Sequence, residues 1–146
     1  MDININKMNL EDLELIKDVL ESEFDNFWNY NILKEEILSE NSYFIVAKNT
    51  ENEIVGFAGT KIIVDEADVM NIVVRKSCRK EGIGSKMLEN LINYSISKNL
   101  KFVNLEVNEN NLSAIRLYDK FAFDHIGIRK KYYNGVSDAI IMRKEL

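Results

Sequence analysis

Arg75–Leu91, RKSCRKEGIGSKMLENL, sets Gly82 and Gly84 one residue apart among five cations: Arg75, Lys76, Arg79, Lys80 and Lys86. A mostly apolar run, Val69–Val74, leads in, and an amphipathic pattern leads out. Glycines between a strand and a helix let the backbone curl and approach a ligand closely. The helix start they open carries unpaired N–H groups and positive dipole density, which suits phosphate. An ordinary strand-to-helix turn is the alternative, and the flanking cations favour an anion nest over it. A Walker loop is excluded, because G-x-x-x-x-G-K-[ST] is not matched. The dinucleotide fingerprint fails as well, since Met87 stands where its third glycine belongs.

A second stretch, Asn104–Phe123, reads NLEVNENNLSAIRLYDKFAF. Alternation puts Leu105 and Val107 on one face of a strand and Asn104, Glu106 and Asn108 on the other. A strand flanked by helices is normally apolar on both faces. Polar residues at its carboxyl end fit either a ligand site, since open α/β sheets bind ligands there, or a wet edge strand. Asn111 fits a helix cap and Tyr118 a packed aromatic equally well.

The elements that must hold these residues follow from periodicity. NLEDLELIKDVLE predicts a first helix with Asn9 as cap and Asp12 three residues on. NILKEEILSE predicts a second, with Asn31 as cap. YFIVAK and IVGFAGTKIIV predict strands joined by the turn NTENE, and ADVMNIVV a further strand. GSKMLENLINYSISKN predicts a helix with Met87, Leu88, Leu91, Ile92 and Ile96 on its apolar face. KFVNLEV predicts a strand, NNLSAIRLYDKF a capped helix, and the last two dozen residues a hairpin turning near Asn134-Gly135.

The chain has 146 residues, 46% hydrophobic and 29% charged, and predicts a single domain spanning 1–146. No apolar run reaches the roughly 18 residues of a membrane span. The acidic, periodic start is unlike a basic leader with an apolar core, so the expected location is the cytoplasm. One cysteine, Cys78, excludes an internal disulfide; with one histidine, His125, it gives no zinc-type cluster, and no metal is expected. The net charge of −5 argues against direct nucleic-acid binding and favours a small molecule or a basic protein partner.

RKEGIG resembles the R/Q-x-x-G-x-G/A pyrophosphate loop of the GNAT acyl-CoA N-acyltransferases. NENNLSAIRLYDKFAF resembles their N-x-x-A-x-x-x-Y-x-x-x-G-F segment. Within that family DEADVMNIVV, LEVNENNLSAIRLY and IRKKYYNGVSDAIIM are similar to the bacterial ribosomal-protein-alanine N-acetyltransferases. The resemblance implies a mixed α/β fold of the α+β kind, its central sheet mostly antiparallel and flanked by about four helices. It implies acetyl-CoA as cosubstrate. Ile72, Val73 and Val74 would lend backbone groups to the pantetheine and thioester, Lys80, Glu81, Gly82, Ile83, Gly84 and Ser85 would wrap the pyrophosphate, and Asn111 would reach the pantetheine. Glu106 would be the general base and Tyr118 the general acid. The sequence departs from the pattern twice: Ala122 replaces the usual glycine of the G-F pair, and Phe27-Trp28 lacks the proline of the family's F-P-W signature.

The implied chemistry is self-consistent. An amine must be neutral to attack a thioester; an α-amine with a pKa near 8 is about a tenth neutral at pH 7, and a lysine near 10.4 far less. A carboxylate can take the remaining proton, backbone N–H groups can stabilise the oxyanion, and a phenol can protonate the departing thiolate. Attack is direct, so Cys78 needs no role. Phe27, Trp28, Tyr30, Tyr132 and Tyr133 are candidates for a substrate lip, with core packing as their alternative; an adjacent pair on a strand cannot both face inward. His125 reads as structural. The expected acceptor is a protein N-terminal α-amine, alanine on a basic small-subunit ribosomal protein. The alternatives are a small-molecule amine or lysine acceptor, and a non-catalytic acyl-CoA-binding module.

Overall fold

The computed structural model describes residues 2–25 and 28–146. Strands β1 (Asn4–Lys7), β2 (Ser42–Lys48), β3 (Ile54–Ile63), β4 (Glu66–Val74), β5 (Phe102–Asn108), β6 (Asp124–Tyr133) and β7 (Ser137–Glu145) form one sheet, ordered β1-β2-β3-β4-β5-β7-β6. Every pairing is antiparallel except β4 with β5. The helices are α1 (Leu10–Ile16), α2 (Leu20–Phe24), α3 (Tyr30–Leu38), α4 (Ile83–Ser97) and α5 (Leu112–Lys120).

The first predicted helix is a bent rod. A 3-10 turn over Lys17–Val19 separates α1 from α2. Leu13, Ile16, Leu20 and Phe24 still bury together against Phe44, Val46 and Phe57 of β2 and β3. The capping box forms as its spacing predicts: the Asp12 N–H donates to Asn9 Oδ1 and the Asn9 N–H to Asp12 Oδ2. The cap of α3 is Asn29 rather than Asn31; its side chain accepts from the Ile32 N–H and its carbonyl from the Leu33 N–H.

Helix α4 lies across the other face of the sheet in two rows. Met87 and Leu91 pack with Ile45, Ala47, Val55 and Ala58 on the β2–β3 side. Leu88 and Ile92 pack with Val103, Leu105, Val107 and Met142 on the β5–β7 side, where α5 adds Tyr118. Ile96, predicted on this face, is half exposed beyond the sheet.

The feature that shapes a site is where β4 and β5 part. They are paired only over Glu66–Asp68 and Phe102–Asn104, yet β4 runs on to Val74 and β5 to Asn108. A bulge starts the divergence: Gly59 faces Asn71 and Thr60 faces Val69, leaving Met70 as the extra residue of β4. One extra residue bends and twists a strand and exchanges its faces. Ala67 and Val69 therefore share the α4 face with Ile72, while Val73 turns to the α1–α3 side. No described strand pairs with β4 on its β5 side from Val69 to Val74, and those residues are all half-buried.

Candidate active site

Ile72, Val73 and Val74 lie on that unpaired edge, which offers N–H and C=O groups to a ligand entering the opening as a strand would. Directly beyond it, Gly82 is the N-cap of α4 in the left-handed region, φ 79°, and no side chain caps this end. Helices α1, α3 and α5, by contrast, are each capped by an asparagine. Lys80 is also left-handed, φ 67°, so the chain turns sharply at both ends of the Lys80–Gly82 loop before entering α4. A Cβ on Gly84 would sit 3.7 Å from Leu117 and 3.9 Å from Val74, ordinary contacts. Packing therefore does not demand glycine there. Glu81, Ile83 and Ser85 complete the turn, with the Ile83 side chain buried under it.

The cations are placed differently from the sequence expectation. Arg75 pairs with Glu23 at 3.1 Å, and Lys76 and Arg79 both pair with Asp25, at 2.8 and 3.1 Å. These two cations hold the Asp25 carboxyl below the usual carboxylate range, mainly through their hydrogen bonds. Three of the five charges therefore fasten the loop to the end of α2. The other two, Lys80 and Lys86, are exposed.

On the other side of the opening, β5 alternates as predicted. Leu105 and Val107 are buried, while Asn104, Glu106 and Asn108 are half-buried on the opposite face. Asn104 is consumed structurally: it donates to Glu66 and Asp68 and accepts from Arg143. Glu106 is held by Arg129, whose Nη2 lies 2.6 Å from its Oε1. Tyr118 lies on the other face of β5, packed with Phe123 at 5.8 Å between ring centroids. Burial, with a smaller contribution from Tyr133, pushes its phenol up to about 12. Tyr133 is raised as well, first by burial and then by the Glu106 charge. Tyr133 thus interacts electrostatically with both predicted groups. Asn111 caps α5, its Oδ1 accepting from the Ala114 N–H at 3.2 Å.

Residues 8–123 match the family described as Acetyltransferase (GNAT). The chain belongs to the acetyltransferase (GNAT) family. It is an N-acetyltransferase. Over 142 residues this acetyltransferase is 31% identical to a Bacillus subtilis (strain 168) protein, covering 94% of this chain and 92% of that one; the relative is provisionally named a [ribosomal protein bS18]-alanine N-acetyltransferase. The ribosomal-protein-S18-alanine N-acetyltransferase of Escherichia coli superposes with a TM-score of 0.89 at 28% identity, over 99% of this chain and 94% of that one. Arabidopsis thaliana NAA60, solved with acetyl-CoA, shares the fold with a TM-score of 0.85 at 20% identity, over 99% of each chain.

In this acetyltransferase the candidate lip divides. Phe27 lies outside the described residues. Trp28 and Tyr30 pack against the α1–α3 core, and the Tyr30 hydroxyl donates to Glu14 while Lys17 sits 4.4 Å over its ring. Both aromatics take the packing role. Tyr132 and Tyr133 meet edge to face at 5.1 Å, the first half exposed and the second half-buried beside Glu106. Cys78 is a free, half-buried thiol, and His125 bridges β6 to Asp119 of α5 at 2.9 Å. The residue that sequence reasoning missed is Arg129. Its signal was the Arg that opens the charged run Arg129-Lys130-Lys131, which reads as solvated surface. Among the described residues no group of His, Cys, Asp and Glu could hold a metal, and no helix is long and apolar enough to cross a membrane.

Proposed function

We propose that this acetyltransferase moves the acetyl group of acetyl-CoA to the N-terminal α-amine of alanine on a basic small-subunit ribosomal protein, with residues 1–146 acting as one domain in the cytoplasm. The observation that carries it is the parting of β4 and β5, with Glu106 on one face of the opening and Tyr118 on the other. The names borne by the B. subtilis and E. coli relatives support the acceptor, and a net charge of −5 suits a basic partner, since opposite charge speeds encounter.

The residues present fit acetyl-CoA. The uncapped α4 start, with Lys80, Glu81, Gly82, Ile83, Gly84 and Ser85, suits a pyrophosphate. The free edge at Ile72, Val73 and Val74 suits an amide-bearing arm, and Asn111 keeps its Nδ2 as a donor while its Oδ1 caps. Acetyl-CoA supplies an activated acetyl thioester. Glu106 takes the proton of the attacking amine, directly or through water. N–H groups of β4 stabilise the oxyanion. Tyr118 would stand on the side of the departing thiolate. Burial raises the Tyr118 phenol to about 12, so it stays protonated at neutral pH. Tyr118 would then be the general acid that protonates the departing thiolate.

The test is intact mass spectrometry with fragment mapping on a peptide beginning with Ala, and on the same peptide blocked at its α-amine but carrying lysines. Acetylation of the first alone is expected. Acetyl groups only on lysines, or only on added polyamines, overturn the N-terminal assignment.

A further inference from the structure

Arg129 closes the last residue pair of β6, with Ala139 of β7, before the strand slips out of register; the next pair is Tyr133 with Ser137. The slip is fixed. Lys131 turns left-handed, φ 49°, and its N–H donates to Asp138 Oδ1 at 2.8 Å. Asp138 also takes Lys130 at 3.3 Å, so that cation is answered locally. Arg129 has Glu106 as its carboxylate, at 2.6 Å, and the face of Tyr132, at 4.8 Å, beneath its guanidinium. The carboxylate assigned to receive the acceptor's proton thus already carries a fixed cation, on the strand that bears both tyrosines of the lip.

We propose that Arg129 is a specificity-determining residue of the acceptor site: its guanidinium, seated on Glu106, sets the site against a protonated amine, so acceptors enter as the free base and α-amines are favoured over lysine. An ammonium must displace a guanidinium that never loses its charge, or sit beside it. A neutral amine meets neither penalty and still finds a carboxylate oxygen for its proton. At pH 7 about a tenth of an α-amine is neutral, against about four in ten thousand for lysine, so a site that admits only the free base multiplies the difference. Arg129 is half exposed, and solvent screening holds its own share of the discrimination to about tenfold.

The test compares kcat/KM for an N-terminal Ala peptide and an α-blocked lysine peptide in the wild type, R129Q and R129K, all with acetyl-CoA. In R129Q the ratio of kcat/KM for the lysine peptide to that for the Ala peptide should rise about tenfold, mostly through KM, whatever the change in absolute activity. R129K keeps the charge and should keep the wild-type ratio. A wild-type ratio in R129Q, or a ratio in R129K that collapses as in R129Q, overturns the inference. A second measurement needs no variant. Against the wild type, a peptide ending in a tert-butyl group should inhibit at least about tenfold better than its trimethylammonium isostere, and equal inhibition overturns the inference. The inference rests on Glu106 as proton acceptor, which E106Q tests alone. Normal turnover in E106Q defeats that reading, whereas a slow E106Q with an unchanged peptide ratio in R129Q defeats only the role of Arg129.

Discussion

Tyr118→Phe removes one oxygen from a group whose charged form the fold disfavours, and the consequence can be worked in two independent ways. The phenol titrates at about 12 in the folded protein against 10.0 as a free side chain. The folded value is the raised one, so the proton is held in the native state after the unfolded chain has released it. The neutral-phenol contribution is thus fully present below pH 10 and is lost as pH climbs to 12. Two units correspond to about 2.7 kcal/mol, of which about 2 kcal/mol has gone by pH 11.5. Urea unfolding at pH 9 and at pH 11.5 reads this directly: the wild type should lose about 2 kcal/mol more than Tyr118→Phe over that interval. The other tyrosines titrate in both proteins and cancel in the difference. Turnover gives the second reading. The variant should lose about tenfold to a hundredfold in kcat without recovery at higher pH, because a donor to sulfur has gone and no base has. Equal alkaline losses would refute the burial of the neutral phenol. Normal kcat together with unequal losses would leave Tyr118 as packing and refute its place beside the leaving group.

Two substitutions separate folding from ligand binding. Ala122 adopts φ 64° on an exposed turn, so Ala122→Gly should stabilise the protein by about 1 kcal/mol, a rise of about 2–4 °C in Tm by calorimetry, with kcat unchanged. Gly84→Asp should work in opposite directions: a Cβ there meets only ordinary contacts at Leu117 and Val74 and the charge suits a helix start, so Tm should hold or rise, while acetyl-CoA affinity by titration calorimetry falls about a hundredfold. Intact affinity in the folded Gly84→Asp variant would remove the pyrophosphate from the α4 loop.

Local signals were legible in the sequence, and long-range ones were not. Met87, Leu88, Leu91 and Ile92 announce α4 because helical periodicity is set within two turns. Asn134 and Gly135 announce the hairpin because both must adopt positive φ, as they do at 53° and 68°. The alternation of β5 correctly set Glu106 apart from Leu105 and Val107. The pairing of Arg75, Lys76 and Arg79 with Glu23 and Asp25 could not be read, since some fifty residues separate the partners. The same holds for Arg129 on Glu106, which depends on β7 lying between their strands. Strand β1 is only four residues long, too short for alternation to stand out, and it forms because β2 supplies an edge. The extra residue at Met70 has no composition signature, yet it decides where the sheet parts.

The parting also makes the molecule two leaves on one spine. Three residue pairs join β4 to β5, and the apolar contents of the two leaves are distinct: Phe44, Phe57 and their helices on one side, Leu105, Val107 and Met142 on the other. Among the described residues, α4 is stitched into both through alternate rows of its side chains, and Ile72 of β4 touches both as well. Changes in separate leaves that touch neither α4 nor Ile72 share no neighbour and combine additively. The hairpin turn at Tyr132–Val136 can therefore drift in length and chemistry while the leaf carrying Gly82 and Gly84 keeps its shape. A lineage built on this plan can exchange one partner without renegotiating the other.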